Sequence, residues 1–420
     1  MGKKRPSQIR VEPEVRGLSP PGPVAARGHV NGRGPQAERS GRDEPQAKVS
    51  GGEQPPPEMK FSMAMISRKC AKFGKLISTM NRLSIILMAL TIVAGQAQAA
   101  GSNDKADNNE KIVASYVTSW SEVMPDPTLV THVNYAFGHV KNSFDGVRID
   151  NVSRLRQIVA LKKEYPELKV VLSIGGWGSG NFSEMAADRN NRRSFCKDCL
   201  RWCRELGLDG IDIDWEYPGS GKGAKISESP ADKENFTLLM RDLRKALGRK
   251  RILSLASCCD PQYIDFHAVV PYVDFVNLMT YDMSGGKRIH CALYASELSG
   301  HWTTDSSVKA HIEAGVPIEK VVVGVPFYGK GVPGLKGLYD YNGIYPLREG
   351  LTEKWDDTAK APYLVNEAGE YVFGFENARS LGLKVEYIKE NNLRGIMNWE
   401  YAGDDAALTL TRVMHTLLEP

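Results

Sequence analysis

From residue 111 onward, short apolar runs alternate with longer amphipathic segments. Because both faces of each short run are apolar, each is predicted to be a strand that is covered on both sides. The predicted strands span residues 111–116, 131–137, 169–174, 210–215, 252–256, 275–280, 320–325 and 393–399. Amphipathic helices are predicted between them at residues 152–164, 192–206, 233–247, 305–314 and 377–390.

The order of these elements predicts how the strands pair. Strands that are separated by helices pair in parallel, because a parallel pair needs a long crossover connection. Eight such units over residues 111–420 predict an α/β protein with a (β/α)8 TIM barrel. An open, doubly wound sheet is the alternative, but no Gly-rich phosphate-binding turn follows the first strand. In a barrel, functional residues are expected at the C-terminal ends of the strands.

One predicted strand carries a column of acids. Asp212, Asp214 and Glu216 alternate with isoleucine and tryptophan side chains, so the three acids line one face of the strand. Alternate Cα atoms in a strand are roughly 6.6 Å apart, and like charges that close must have pKa values that split. Asp209 lies outside the alternation, directly before Gly210, and is expected at the entrance of the strand.

These acids carry a resemblance to a known family. Asp209, Asp212, Asp214 and Glu216 form the pattern DxxDxDxE, which resembles the signature of glycoside hydrolase family 18, the chitinases and their relatives. Four acids at fixed gaps on an apolar strand are far more specific than a single short motif. The resemblance covers residues 111–415.

Other strand ends resemble further segments of the same family. The sequence SIGGW at residues 173–177 resembles its SxGG segment, and NLMTYDM at residues 277–283 resembles its NxMTYD segment. GIMNWEY at residues 395–401 resembles its GxMxWEY segment. Any one of these aromatic residues alone would more often be core packing, but together they occur at successive strand ends in the expected order.

The resemblance implies a retaining mechanism in which the acetamide group of the substrate acts as nucleophile. Glu216 would protonate the glycosidic oxygen and later activate water, while Asp214 would orient the acetamide and stabilise the oxazolinium ion. Asp212 would share a proton with Asp214, and Asp209 would hold the strand geometry. Tyr281 would donate a hydrogen bond to the acetamide oxygen. No metal or other cofactor is implied.

The same resemblance implies a set of substrate-binding residues. Trp399 would form the floor of the −1 subsite, Trp177 would stack on the sugar at +1, and Asp282 would hydrogen-bond sugar hydroxyls. The further substrate-binding candidates are Met279, Tyr116, Phe137 and Tyr328.

The region between the last two barrel strands departs from the family pattern. Only 25 residues separate Gly329 from Trp355, so at most a shortened α+β insertion is expected there. Its apparent lack would leave a shallower, more open cleft and less processive action. Lys330 also stands where many relatives have arginine, so the positive charge is kept but the bidentate fork is lost.

The N-terminal part differs in composition from the rest. Residues 1–79 are predicted to be a disordered extension, and a mis-called start, with Met80 as the natural one, would account for it. Residues 80–99 have the basic start, apolar run and small-residue end of a signal peptide, which predicts a secreted or periplasmic protein without a stable membrane span after cleavage. A signal anchor with a cytoplasmic tail is the alternative. Residues 100–110 are read as a linker before the catalytic domain at 111–420.

Charge argues against one class of partner. Residues 1–99 contain 16 basic and 7 acidic residues, out of 54 and 50 in the whole chain. The remainder therefore carries a net charge of about −5, and nothing in it suggests a nucleic-acid partner.

Six of the seven cysteines lie beyond residue 99. Cys196, Cys199 and Cys203 fall on one face of a predicted helix and are expected in the core rather than at a metal site. An even number of cysteines permits disulfides in an exported protein, but the sequence does not give their pairing.

The function predicted from these features is that of a chitinase, a monomer that acts on chitin or N-acetylglucosamine oligosaccharides. One alternative is an endo-β-N-acetylglucosaminidase that acts on N-glycans, which would use the same acid column. The other is a non-catalytic chitin-binding lectin, but such proteins typically lack the acid at the position of Glu216.

Overall fold

The structure is a computed structural model that describes residues 110–283, 288–332 and 338–419. The predicted extension at 1–79, the signal peptide at 80–99 and the linker up to residue 109 lie outside the described residues and stay predictions. Within the described ranges, no helix combines the length and the apolar character needed to cross a membrane.

A closed parallel barrel forms the centre of the described chain. Its strands are β1 (Ile112–Thr118), β2 (His132–Val140), β4 (Lys169–Gly175), β5 (Gly210–Asp214), β6 (Ile252–Cys258), β7 (Phe275–Met279), β8 (Val321–Pro326) and β14 (Gly395–Trp399). They follow the ring order β1-β14-β8-β7-β6-β5-β4-β2, and a pairing between β1 and β2 closes the ring. The predicted (β/α)8 barrel is confirmed.

All eight predicted strands are present, and their ends differ from the prediction by a few residues. The largest difference is β2, which continues to Val140 because its end pairs antiparallel with the short strand β3 (Val147–Ile149). The described helices of the (β/α)8 domain are α1 (Val152–Ala160), α2 (Phe182–Ala187), α3 (Arg189–Leu206), α4 (Asp232–Leu247), α5 (Phe266–Val269), α6 (Thr304–Glu313), α8 (Ala378–Glu390) and α9 (Thr409–His415).

The main core lies between the outer face of the barrel and the helices. The apolar faces of α3 and α4 pack there, and Cys196, Cys199 and Cys203 of α3 are buried in this core, as their spacing predicts. A second apolar cluster fills the barrel interior and includes Tyr116 and Phe137, with Met279, Tyr281 and Trp399 packed against it. This inner cluster therefore supports the residues at the mouth of the barrel.

An α+β insertion lies between β8 and β14. Its elements are β9 (Tyr328–Gly331), β10 (Leu338–Asp340), α7 (Tyr341–Leu347), β11 (Thr352–Asp356), β12 (Ala361–Val365) and β13 (Tyr371–Gly374). The strands form a five-stranded antiparallel sheet in the order β10-β9-β13-β12-β11. The expectation that such a wall is lacking is therefore wrong, and the inferred shallow cleft loses its basis. The sequence pattern does not indicate this sheet, because its strands are short and β11 is largely polar and exposed.

A buried ion pair fastens the segment after this sheet to the barrel. Lys384 of α8 contacts the carboxylate of Glu376, and both side chains are fully enclosed. The Lys384 ammonium also donates a hydrogen bond of 2.6 Å to the backbone oxygen of Cys291. Because the Lys384 ammonium contacts both Glu376 and Cys291, it connects the end of the insertion with the loop after β7.

Candidate active site

The acid column lies along β5 and just beyond it. Asp212 and Asp214 are buried, and Glu216 follows the end of the strand in a half-buried position. Asp209 precedes the strand, where Oδ2 accepts hydrogen bonds from Lys162 Nζ at 2.6 Å and Val170 N at 2.7 Å. Asp209 thus joins β5 to its neighbours at the opposite end of the strand from Glu216, as a residue that holds strand geometry would.

Asp212 is the centre of a buried hydrogen-bond network. Tyr116 and Ser173 donate hydroxyl hydrogen bonds to Oδ2 at 2.9 and 2.8 Å. Ser254 and Asn277 donate to Oδ1 at 2.7 and 3.2 Å. Burial raises the pKa of Asp212 although all four hydrogen bonds favour its charged form. No hydrogen bond joins the described carboxyl groups of Asp212 and Asp214, so the predicted proton sharing stays a prediction.

Asp214 and Glu216 have environments that favour the protonated carboxyl group. Burial, together with the charges of Glu216 and Asp212, raises the pKa of Asp214 well above its usual value. Asp214 Oδ1 is buried without a hydrogen-bond partner among the described residues. Burial raises the pKa of Glu216 to about 7, a hydrogen bond from Tyr217 opposes this, and the charge of Asp282 adds to it. Glu216 can therefore hold a proton near neutral pH and release it to a bound group.

The end of β7 brings a phenol and a carboxylate to the site. Burial, and then the charges of Asp214 and Glu216, raise the pKa of Tyr281, so its hydroxyl stays a hydrogen-bond donor. Asp282 accepts a hydrogen bond from Tyr328 at 2.7 Å, and Lys330 Nζ lies 2.6 Å from its Oδ1. Tyr328 and Lys330 belong to β9, so the insertion contributes directly to this part of the site.

His290 lies behind Asp282. Its buried Nδ1 is 3.3 Å from the backbone nitrogen and 3.5 Å from Oδ1 of Asp282. The protein around Asp282 disfavours its charge, but the interactions with His290 and Lys330 outweigh this and lower the pKa of Asp282. Burial lowers the pKa of His290, so the imidazole is neutral at pH 7. Asp282 is thus an ionised acceptor at the mouth of the barrel.

Aromatic rings line the side of the mouth near β1 and β14. Trp399 packs against Tyr116, with centroids 5.7 Å apart, and stacks on Phe137 at 5.5 Å. Trp120 follows β1, lies 6.4 Å from Phe137 and is 65% exposed. Such exposed aromatic faces offer a flat apolar surface to a ligand.

A second exposed ring follows β4. Trp177 is 59% exposed, and its ring lies 6.3 Å from that of Tyr217. The glycines before it are required by the close approach of β5: a Cβ atom on Gly175, whose φ is +133°, would lie 1.8 Å from Asp214 O. The backbone nitrogen of Gly176 donates a hydrogen bond of 2.9 Å to the same oxygen. The turn that presents Trp177 is therefore built onto the acid strand.

The structure brings all the predicted site residues to the C-terminal end of the barrel, apart from Asp209. Met279 is among them: it ends β7 and packs against the interior cluster beside Trp399. Sequence reasoning missed a further set of site residues. The alternation of side chains along the strands could have indicated that its serines and its asparagine face the barrel interior. The missed residues are Tyr217, His290, Ser173, Ser254, Asn277 and Trp120.

Comparisons with known proteins show to which family this chain is similar. The family model described as Glycosyl hydrolases family 18 matches residues 112–404. Chitinase A1 of Niallia circulans is 30% identical over 80% of this chain, which spans 61% of that protein's length. Probable chitinase 2 of Drosophila melanogaster is 29% identical over 76% of this chain and 78% of its own length. A solved family 18 N-acetylglucosaminidase from Paenibacillus barengoltzii is 34% identical, with a TM-score of 0.67 over 73% of this chain and 99% of that one.

Proposed function

Since the chain belongs to glycosyl hydrolase family 18 and is a glycoside hydrolase, we propose that it hydrolyses the β-1,4 linkages between N-acetylglucosamine units of chitin or chitooligosaccharides. The observation that carries this proposal is the carboxyl group of Glu216 at the barrel mouth, with a pKa of about 7, next to the buried and unpartnered Oδ1 of Asp214. One group can supply a proton, and the other offers an acceptor for a donor on the substrate.

Glu216 acts first as general acid. It protonates the glycosidic oxygen, and the bond between that oxygen and the anomeric carbon breaks. The carbonyl oxygen of the substrate acetamide attacks the anomeric carbon from the opposite face, which gives an oxazolinium ion. Glu216, now ionised, takes a proton from water, and the water oxygen attacks the anomeric carbon while the bond between this carbon and the acetamide oxygen breaks. Two inversions at this carbon retain its β-configuration.

Asp214 and Tyr281 hold the acetamide in its attacking position. Asp214 Oδ1 accepts the hydrogen bond of the acetamide N–H, which supplies the partner that this atom lacks. Tyr281 donates its phenol hydrogen to the acetamide oxygen, because its raised pKa keeps the hydroxyl protonated. The hydrogen bonds to Asp212 favour its charged form, and a carboxylate beneath Asp214 would favour the positive charge of the intermediate.

The exposed rings extend the substrate-binding surface in two directions. Trp399 would form the floor of the −1 subsite and Trp177 would stack on the sugar that leaves, as the family resemblance implies. Trp120, beyond Phe137, would continue this surface on the other side of Trp399. Asp282 would accept hydrogen bonds from sugar hydroxyls, since Lys330 and His290 keep it ionised.

The test is hydrolysis of chitooligosaccharides by the purified chain, with an N-glycopeptide as parallel substrate. We expect cleavage of the oligosaccharides, with β-anomers as the first products by proton NMR. Cleavage of the glycopeptide alone would instead favour an endo-β-N-acetylglucosaminidase. Binding of the oligosaccharides without cleavage would overturn the proposal in favour of a lectin.

A second candidate is release of single N-acetylglucosamine units. It is favoured by the likeness to the Paenibacillus protein, which is described as an N-acetylglucosaminidase. Product length separates the two activities: short oligomers support the chitinase, and monomer alone from every substrate supports the N-acetylglucosaminidase.

Export and assembly are part of the proposal. Residues 80–99 would act as a signal peptide that is removed to give a secreted or periplasmic monomer. N-terminal sequencing of the exported protein is expected to begin near Ala100. An intact N-terminal tail on the exported protein would contradict the signal peptide, and light scattering in solution tests the monomer.

A further inference from the structure

Two adjacent cysteines lie at the edge of the proposed catalytic cleft. Cys258 ends β6, and its register partner on β7 is Met279. Paired residues on neighbouring parallel strands point to the same face of the sheet. Because Met279 packs in the barrel interior beside Tyr281 and Trp399, Cys258 also faces the mouth of the barrel.

The two thiols differ from the other described cysteines in accessibility. Cys258 and Cys259 are half-buried, whereas Cys196, Cys199, Cys203 and Cys291 are buried. All six are free thiols. A dissolved reagent can therefore reach the pair at the cleft more readily than the others.

The pair is chemically asymmetric. The Cys258 thiol donates a hydrogen bond of 3.1 Å to the backbone oxygen of Asp260. The interaction between the two neighbouring cysteine side chains raises the pKa of Cys258 and lowers that of Cys259. A thiol that ionises readily, is accessible and lies beside a second thiol is the usual arrangement of a redox-reactive cysteine with its resolving partner.

Their position in the chain determines what a bond between them would be like. Consecutive Cα atoms are about 3.8 Å apart, whereas disulfide-bonded residues usually have Cα atoms about 4.4–6.8 Å apart. A disulfide between neighbours therefore strains the chain, and strained disulfides are easily reduced and tend to be regulatory. Such a bond would serve as a reversible modification and would add little as a structural cross-link.

We propose that Cys258 and Cys259 form a reversible modification site that reacts with low-molecular-weight disulfides. The Cys259 thiolate attacks one sulfur of the small disulfide, so that a mixed disulfide forms and one small thiolate leaves with the proton from Cys259. The Cys258 sulfur then attacks the Cys259 sulfur, the second small thiol leaves with the proton from Cys258, and the ring closes. Two protein thiols are oxidised and one small disulfide is reduced to two thiols.

Ring closure moves the end of β6, which lies beside the end of β7. Cys258 pairs with Met279, and Tyr281 and Asp282 follow Met279 closely in the chain. A backbone change at Cys258 therefore displaces the phenol and the carboxylate that β7 brings to the site, and the modified protein is expected to hydrolyse its substrate more slowly. This consequence rests on the proposed hydrolase activity, whereas the thiol chemistry does not.

The experiment treats the full chain with oxidised glutathione and follows the peptides by mass spectrometry. We expect the peptide that contains Cys258 and Cys259 to lose two hydrogen atoms while the buried cysteines stay reduced. We also expect kcat/KM on chitooligosaccharides to fall by at least about tenfold, because small displacements of catalytic groups carry costs of that order. Dithiothreitol should restore both the mass and the activity.

Single variants test the order of the steps. Cys258→Ser should stop at the mixed disulfide on Cys259, and Cys259→Ser should acquire neither adduct nor ring. The activity of each oxidised variant is divided by the activity of the same variant in its reduced form. An effect of the substitution itself on activity therefore cancels. The double variant Cys258→Ser/Cys259→Ser should be insensitive to the oxidant.

Three results would overturn the proposal. The pair could stay reduced while other cysteines react, the double variant could lose activity as the parent does, or the ring could form without any change in hydrolysis. If the protein hydrolyses none of the sugars, the proposed function fails, and ring closure measured by mass alone still supports the modification site.

Discussion

The Tyr116 hydroxyl donates a hydrogen bond of 2.9 Å to Oδ2 of Asp212, although β2 and β4 separate the strands of the two residues. The bond crosses the barrel interior, as does that from Asn277 of β7, whereas Ser254 donates to the same carboxyl group from the adjacent strand β6. The carboxyl group beneath the catalytic acids is thus held by donors from several strands. Removing one donor should therefore lower both the stability of the protein and its catalytic rate.

Ser254→Ala tests this network. A lost hydrogen bond to a buried carboxylate should lower the free energy of unfolding by about 1.5–3 kcal/mol, measured by urea denaturation. Ser143→Ala is the control, because that serine is exposed and its hydroxyl, within the described part of the chain, donates only to nearby Asp145. If the free energies of unfolding of both variants are within about 0.5 kcal/mol of the parent value, the network contributes little to stability.

Glu216→Gln tests the general acid. The amide cannot transfer a proton, so kcat should fall by about 100-fold to 10,000-fold while oligosaccharide binding persists, measured by initial rates and by tryptophan fluorescence. Glu313→Gln, on an exposed part of α6, should leave both unchanged. A near-normal turnover rate in Glu216→Gln would remove this residue from the mechanism.

The pH profile tests what sets the pKa of Glu216. Since the acid must be protonated, kcat/KM should decrease as the pH rises through about 7. Tyr217→Phe removes a hydrogen bond that favours the charged form, so this limb should move to higher pH. Asp282→Asn removes a negative charge that favours the protonated form, so the limb should move to lower pH. Shifts in the same direction for both variants would contradict this account.

Trp177→Ala tests the exposed ring after β4. Loss of the apolar contact should raise KM about fivefold to tenfold, equivalent to ~1–1.4 kcal/mol, with little change in kcat on long oligosaccharides. Trp355→Ala is a matched control, because Trp355 lies in the insertion with its ring 3.8 Å from the guanidinium of Arg379. Equal effects of the two variants would argue against sugar stacking on Trp177.

The buried pair of Lys384 and Glu376 offers a test of the insertion's attachment. Lys384→Met leaves the Glu376 carboxylate buried and unpaired, so it should lower the free energy of unfolding by about 3–5 kcal/mol. The double variant Lys384→Met/Glu376→Leu should recover much of this loss in urea denaturation. A single variant as stable as the parent would show that the pair does not hold this region.

Much of the fold could be predicted because the barrel strands are apolar on both faces, and this pattern is visible in the sequence. The acids of β5 were equally visible from their alternation. Strand alternation could have indicated which face the serines occupy, but their contact with Asp212 was not visible, because Ser173, Asp212 and Ser254 become neighbours only through strand register. Register depends on packing between strands, which a single sequence does not state.

The extent of the insertion was underestimated for a different reason. Its strands are short, and β11 exposes polar residues, so no apolar run marks it. Nothing in the sequence indicates that Tyr328 and Lys330 reach Asp282, since that contact is made between residues from different parts of the chain.

That contact limits how the protein could be redesigned. The insertion begins at Tyr328, directly after β8, and its first strand supplies two partners of Asp282. A chimera that exchanged the whole sheet for one from a relative would also exchange part of the sugar-binding apparatus. A graft that keeps residues 328–330 and replaces only the later part of the insertion would change the wall and leave the partners of Asp282 in place.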